Sequence, residues 1–263
     1  DEAGREGAPA VPTKEQRERR RRRKRVVKEV LATEQEYLDH LQLVLDAFMP
    51  VVAHELTTGC GPVDLAGLIP PSLPRLLADQ SAFLQRAKAL VDTAAAVEHI
   101  TLGAFFGEEA AALGDRHSRY VRELGRSIAV WTRLLADPGG AQLAALRAAR
   151  PPSSKLDLDM HLITPAQRMP RYLLLLREYG DAVGEEEEER AHAEAALDRV
   201  RQVVEEINEE KRRADEAGRS EGFRRRLVGA PPALLDGSLV RQDDGATAAP
   251  LRTLAASSQV RLT

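Results

Sequence analysis

Residues 162–178 read Leu-Ile-Thr-Pro-Ala-Gln-Arg-Met-Pro-Arg-Tyr-Leu-Leu-Leu-Leu-Arg-Glu. The stretch is apolar, yet it carries Gln167, Arg168 and Arg171 and two prolines, Pro165 and Pro170. A helix selected for packing alone avoids proline, which removes a backbone donor and costs ~3 kcal/mol inside a helix. On a helical wheel Leu162, Ala166, Met169, Leu173, Leu176 and Gly180 form one row, a core face, and Ile163, Gln167, Arg171, Leu174 and Glu178 form another. The second row is either an ordinary exposed face or a docking surface, since apolar groups mixed with arginine recur at interfaces. Two further positions break their patterns. Glu34 falls at about −20° on a wheel that puts Val27, Leu31, Leu38, Leu41 and Leu45 on an apolar stripe. A carboxylate there is costly unless paired, so it either meets an arginine from a neighbouring helix or waits for a partner protein. Asn208 borders the last apolar stripe, next to Ile207, either solvated or reaching a partner.

These side chains make directed hydrogen bonds, and the constellations of covalent chemistry do not turn up elsewhere. His54-Glu55 lacks a second histidine at the spacing a zinc hydrolase needs, and Gly59-Cys60-Gly61 lacks the third glycine of a dinucleotide loop. Cys60 is the only cysteine, which excludes an internal disulfide and a thiolate zinc cluster. We therefore expect no metal and no cofactor.

At 263 residues, with 30% charged and 43% hydrophobic residues, the composition is that of a soluble globular protein. Aromatics at 4% argue for a helical core of Leu, Val and Ala over a β-sandwich. The formal net charge of −3 gives no overall bias toward nucleic acid, and none is expected as a partner. No apolar run is long enough to span a bilayer, and the Asp1 start lacks a signal core; the chain reads as a cytosolic or peripheral fragment.

Residues 1–13, rich in Gly, Pro and Ala, read as disordered. Lys14 to Arg25 is a basic run, read as the solvated first turns of a helix, a nuclear address or an acidic-lipid patch. Helical periodicity follows from Val26, and Pro50 should kink or end that helix. Thr57 to Pro74, with three glycines and four prolines, reads as a loop. Further helices are expected over about 75–91, 93–102, 108–135, 142–149 and 162–183, and after the acidic run Glu185–Glu189 to about Gly218. Trp131 reads as core. In the tail, Leu234 to Arg241 suggests one or two strands.

Three segments carry a family resemblance. Val27 to Leu41, with its Thr33-Glu34-x-x-Tyr37 core, resembles the first signature region of the Dbl homology (DH) domain of Rho guanine nucleotide exchange factors. Leu162 to Glu178, with Pro-x-Gln-Arg-x-Pro-Arg-Tyr, resembles the third, and Val203-Val-Glu-Glu-Ile-Asn208-Glu resembles the end of the last catalytic helix. Their order and spacing agree. Arg171 stands where many members have lysine, Ala166 where valine is common, and 137–158 fits the second region only loosely.

The resemblance implies an all-α, elongated helical bundle over residues 14–220. The tail, 221–263, would be a linker and the truncated start of a pleckstrin homology (PH) domain. It implies an exchange factor that makes no covalent bond and stimulates GDP release from, and GTP loading of, a Rho-family GTPase of the Rho, Rac or Cdc class. Glu34 would contact switch I; Arg171, with Gln167, Ile163 and Leu174 alongside, and Asn208 would meet switch II. The alternative is a scaffold that keeps the fold but has lost exchange. Membrane phosphoinositides are a second expected partner, through a complete PH domain or the basic run. The expected location is cytoplasmic, with recruitment to membrane or cytoskeleton.

Overall fold

The structure is a computed structural model that describes residues 13–59, 61–152, 154–184 and 188–218. The expected N-terminal disorder and the strands of the tail fall outside these residues. Every described element is helical.

Helix α1 (Lys14–Leu43) starts at a capping box: Thr13 Oγ1 accepts from the Gln16 N–H (3.1 Å) and Gln16 Oε1 accepts from the Thr13 N–H (2.8 Å). The helix does not stop or break at Pro50. A π-helical turn, Val44–Phe48, leads directly into α2 (Met49–Thr58), with Pro50 in its first turn, where a missing N–H costs least. Gly59, at φ 61°, then ends α2 in the left-handed conformation that glycine adopts without strain.

The loop to α3 (Leu73–Thr93) buries Leu65, Leu68 and Ile69. The helix expected over 93–102 is only a single 3-10 turn, Val97–His99. Helix α4 (Leu102–Leu135) begins six residues before the expected start. The reason comes from far along the chain: the Glu189 carboxylate accepts from the Gly103 N–H (2.5 Å) and from the Tyr179 hydroxyl (3.0 Å), which caps the helix with negative charge. Gly103 must also lack a side chain, since a Cβ there would lie 2.5 Å from the Ala193 backbone nitrogen. After α5 (Ala141–Ala149), α6 (Leu158–Ala182) runs through both prolines, and α7 (Glu188–Gly218) packs along α4 and α6. Pro165 deprives the His161 carbonyl of its helix donor, and Thr164 Oγ1 supplies one (2.8 Å), while Tyr120 OH donates to the neighbouring Leu162 O (2.8 Å).

The core has two apolar compartments along the bundle. One joins the second half of α1 to Leu124–Leu134 of α4, α5 and the start of α6, with Trp131 buried in it. The other joins Val26–Val30, Phe83, Phe106 and Leu113 to the rest of α6 and to α7. Between them lies a polar layer. Glu34, Gln80, His117 and Arg168 are all buried, each flanked along its own helix by residues of both compartments.

Candidate functional site

Glu34 sits at the centre of that layer, 0% exposed. Its Oε2 accepts from Arg168 Nε (3.0 Å), Arg168 Nη2 (2.6 Å) and the Tyr172 hydroxyl (2.6 Å), and its Oε1 accepts from Gln80 Nε2 (2.8 Å). The Arg168 guanidinium, 5% exposed, lies 4.6 Å from the Tyr172 ring centroid and 5.6 Å from that of Tyr37. Burial pulls the Arg168 pKa down, but Tyr172 and Glu34 outweigh it and the net direction is upward. Burial, with Glu34 alongside, raises the Tyr172 hydroxyl and keeps it a donor. Glu34 is therefore not available to a partner protein: its oxygens are spent inside the bundle. Of the two readings of this residue, pairing with an arginine of a neighbouring helix is the one realised.

Beside α6, α1 presents Glu29, half-buried, whose Oε1 accepts from Arg171 Nη2 of α6 at 2.5 Å. The two bridges are rungs between the same helices: residue 34 pairs with 168 and 29 with 171, so α1 and α6 run antiparallel. Arg25 with Glu178 (2.5 Å) and Arg22 with Asp181 (3.4 Å) continue the ladder outward. Glu29 was missed in the sequence because its wheel position is an ordinary polar one, and only the adjacency of α6 singles it out.

On α6 the expected row holds together. Ile163 and Gln167 are half-buried, Arg171 is exposed and Leu174 is 44% exposed. Met160, 45% exposed, extends the row by one step of three residues and was also missed. With Leu56 these are the exposed large hydrophobic residues among those described, and two of the three lie on this one row. Leu162, Met169 and Leu176 face inward as expected, joined by Arg168, Tyr172, Leu175 and Tyr179.

Asn208 is half-buried beside Ile207, which belongs to the same compartment as Met169. Gly180 and Ala193 meet where α6 and α7 pass each other antiparallel. Counting on along both helices from that pair brings Asn208 level with the turn at Pro165. Helix α6 is thus the middle element, flanked by α1 and α7. Its outward row, with Glu29 held against Arg171 at one edge, forms a face of guanidinium, amide, carboxylate and apolar groups. Such a face can recognise a protein surface; it holds no paired nucleophile and base.

A family model described as the RhoGEF domain matches residues 26–208. Over 181 residues the chain is 30% identical to the FYVE, RhoGEF and PH domain-containing protein 2 of Mus musculus, covering 67% of this chain and 27% of that protein. Over 207 residues it is 27% identical to Rho guanine nucleotide exchange factor 1 of Rattus norvegicus, covering 77% of this chain and 22% of that protein. The chain thus spans about a quarter of the length of these relatives. Among solved structures, the DH/PH domains of p115-RhoGEF superpose with a TM-score of 0.62 at 26% identity, covering 86% of this chain and 62% of that one.

Proposed function

The chain belongs to the RhoGEF domain family, and from that premise we propose that it stimulates GDP release from, and GTP loading of, a Rho-family small GTPase through the face of α6 and its two flanking helices. The observation that carries this reading is the α6 row: Leu174 and Met160 exposed, Arg171 between them, and Glu29 held against Arg171 from α1. A partner covering this row would bury apolar surface and meet an acid, a guanidinium and the amides of Gln167 and Asn208 within one footprint.

Exchange requires no bond to be made or broken. The face would bind the nucleotide-free GTPase better than the loaded one, and that difference in affinity is what loosens GDP. Arg171, Gln167, Ile163, Leu174 and Asn208 are the proposed contacts to switch II. On α1 the proposed contact to switch I moves from Glu34 to Glu29, because Glu29 has a surface-facing carboxylate and Glu34 does not. The Glu29–Arg171 bridge orients both groups in the free protein, and a partner would have to share or replace it.

The test is release of labelled GDP from a panel of Rho, Rac and Cdc-class GTPases. Acceleration on at least one, lost with Arg171→Ala in a folded protein, is the expected result. Binding to a GTPase without acceleration on any would instead establish a scaffold that has lost exchange.

A further inference from the structure

We propose that the outward face of α1 is a docking surface for acidic phospholipid bilayers, carried by Lys14, Arg17, Arg21, Lys24 and Lys28. The tertiary structure divides the basic run in two. Arg19 pairs with Glu15, Arg20 with Glu98, Arg22 with Asp181 and Arg25 with Glu178. Arg23 is buried, with Nη2 donating to Ile100 O at 2.7 Å. These arginines either fasten α1 to the rest of the bundle or, with Glu15, brace its first turns. The outward cations Lys14, Arg17, Arg21, Lys24 and Lys28 recur at steps of three and four residues, so they share an arc of about 80°.

All five are exposed. Among the described residues, Lys14, Arg21, Lys24 and Lys28 engage no acceptor. The row runs for about 21 Å at the helical rise. It lies opposite the side on which α1 buries Arg23, Val26, Val27 and Val30. Glu18 is the acid on its border, and Glu29, beyond Lys28, is engaged by Arg171.

A straight row of cations on the outer side of a docked helix matches a planar sheet of anionic headgroups. Nucleic acid offers the same phosphate chemistry, and the test includes it as the competing polyanion. The formal net charge of −3 means that a polyanion wrapping the chain would meet more acid than base. The row includes no large apolar side chain, so adsorption rests on charge alone and weakens as salt shortens the screening length. The inference stands apart from the exchange reading, and its test separates the two.

The full chain is to be sedimented with vesicles of phosphatidylcholine alone and with phosphatidylserine added. Expected is binding to the anionic vesicles only, falling steeply with salt. Arg21→Gln/Lys24→Gln/Lys28→Gln should weaken it by about tenfold or more, with helical circular dichroism and GDP release in solution unchanged. Arg171→Ala should retain vesicle binding while losing exchange. Equal sedimentation with both vesicle types overturns the proposal. So does a triple variant that binds like the parent, or tighter binding to an oligonucleotide than to anionic vesicles at the same salt.

Discussion

Arg171 Nη2 and Glu29 Oε1 meet at 2.5 Å on the surface, one helical turn from the buried bridge that joins Arg168 to Glu34. Two ion pairs of the same chemistry thus connect the same two helices, and their surroundings give them opposite roles. The outer pair sits where water screens it and a partner can reach it. The inner pair is enclosed in a polar layer between two apolar compartments, where losing one member leaves the other without compensation.

For the outer pair, exposed bridges contribute only ~0–1 kcal/mol to stability. Glu29→Ala and Arg171→Ala should therefore shift thermal unfolding by no more than a few degrees. If both residues touch the GTPase, each substitution should lower the rate of GDP release by about 30- to 1000-fold, the equivalent of ~2–4 kcal/mol of lost contact. Exchange at the parent rate by both folded variants would remove them from the site.

Glu34→Ala should behave differently, with a loss of about 3–5 kcal/mol in denaturant unfolding, because Arg168 keeps a buried charge with no carboxylate opposite. Exchange would fall as a consequence of unfolding, and lowering the temperature should restore part of it. A Glu34→Ala protein as stable as the parent yet inactive would return this residue to the contact surface.

Leu174→Asp tests whether the exposed row is a docking face. The side chain is 44% exposed, so stability should change by no more than about 0.5 kcal/mol. Affinity for the nucleotide-free GTPase should drop by ~2 kcal/mol, about 30-fold. Unchanged affinity in a binding titration would move the docking face elsewhere.

Acid should destabilise the bundle through its buried histidines. Burial lowers His117 to about 3, helped by the nearby Arg116 and Arg168 charges and opposed by the bond from Nδ1 to Leu113 O (2.8 Å). Burial and the neighbouring His40 lower His161 to about 4. Both stay neutral when folded but take up a proton near 6.5 when unfolded. The unfolded state therefore binds more protons below that pH, and the stability these groups contribute, complete above about 6.5, is lost progressively toward 4. His117 alone should cost on the order of 3 kcal/mol by pH 4. Chemical denaturation at stepped pH should show this decline, and a flat profile between 7 and 5 would count against it.

What the sequence by itself determined is local. Periodicity marked the long helices and both rows of α6, because an apolar residue every three or four positions is a property of neighbours along the chain. It also marked Glu34 as an anomaly that had to be paired or exposed. The resolution required Arg168, 134 residues away in the chain, and no local pattern encodes that distance. The same limit hid Glu29, whose interest comes only from Arg171 beside it, and the early start of α4, which depends on a cap from Glu189. It also concealed the division of the basic run into arginines that brace α1 or fasten it to the bundle and cations that face outward. Which charges are spent inside the bundle and which are left for a partner was decided by tertiary packing, because burial and pairing depend on helices far apart in sequence that fold side by side.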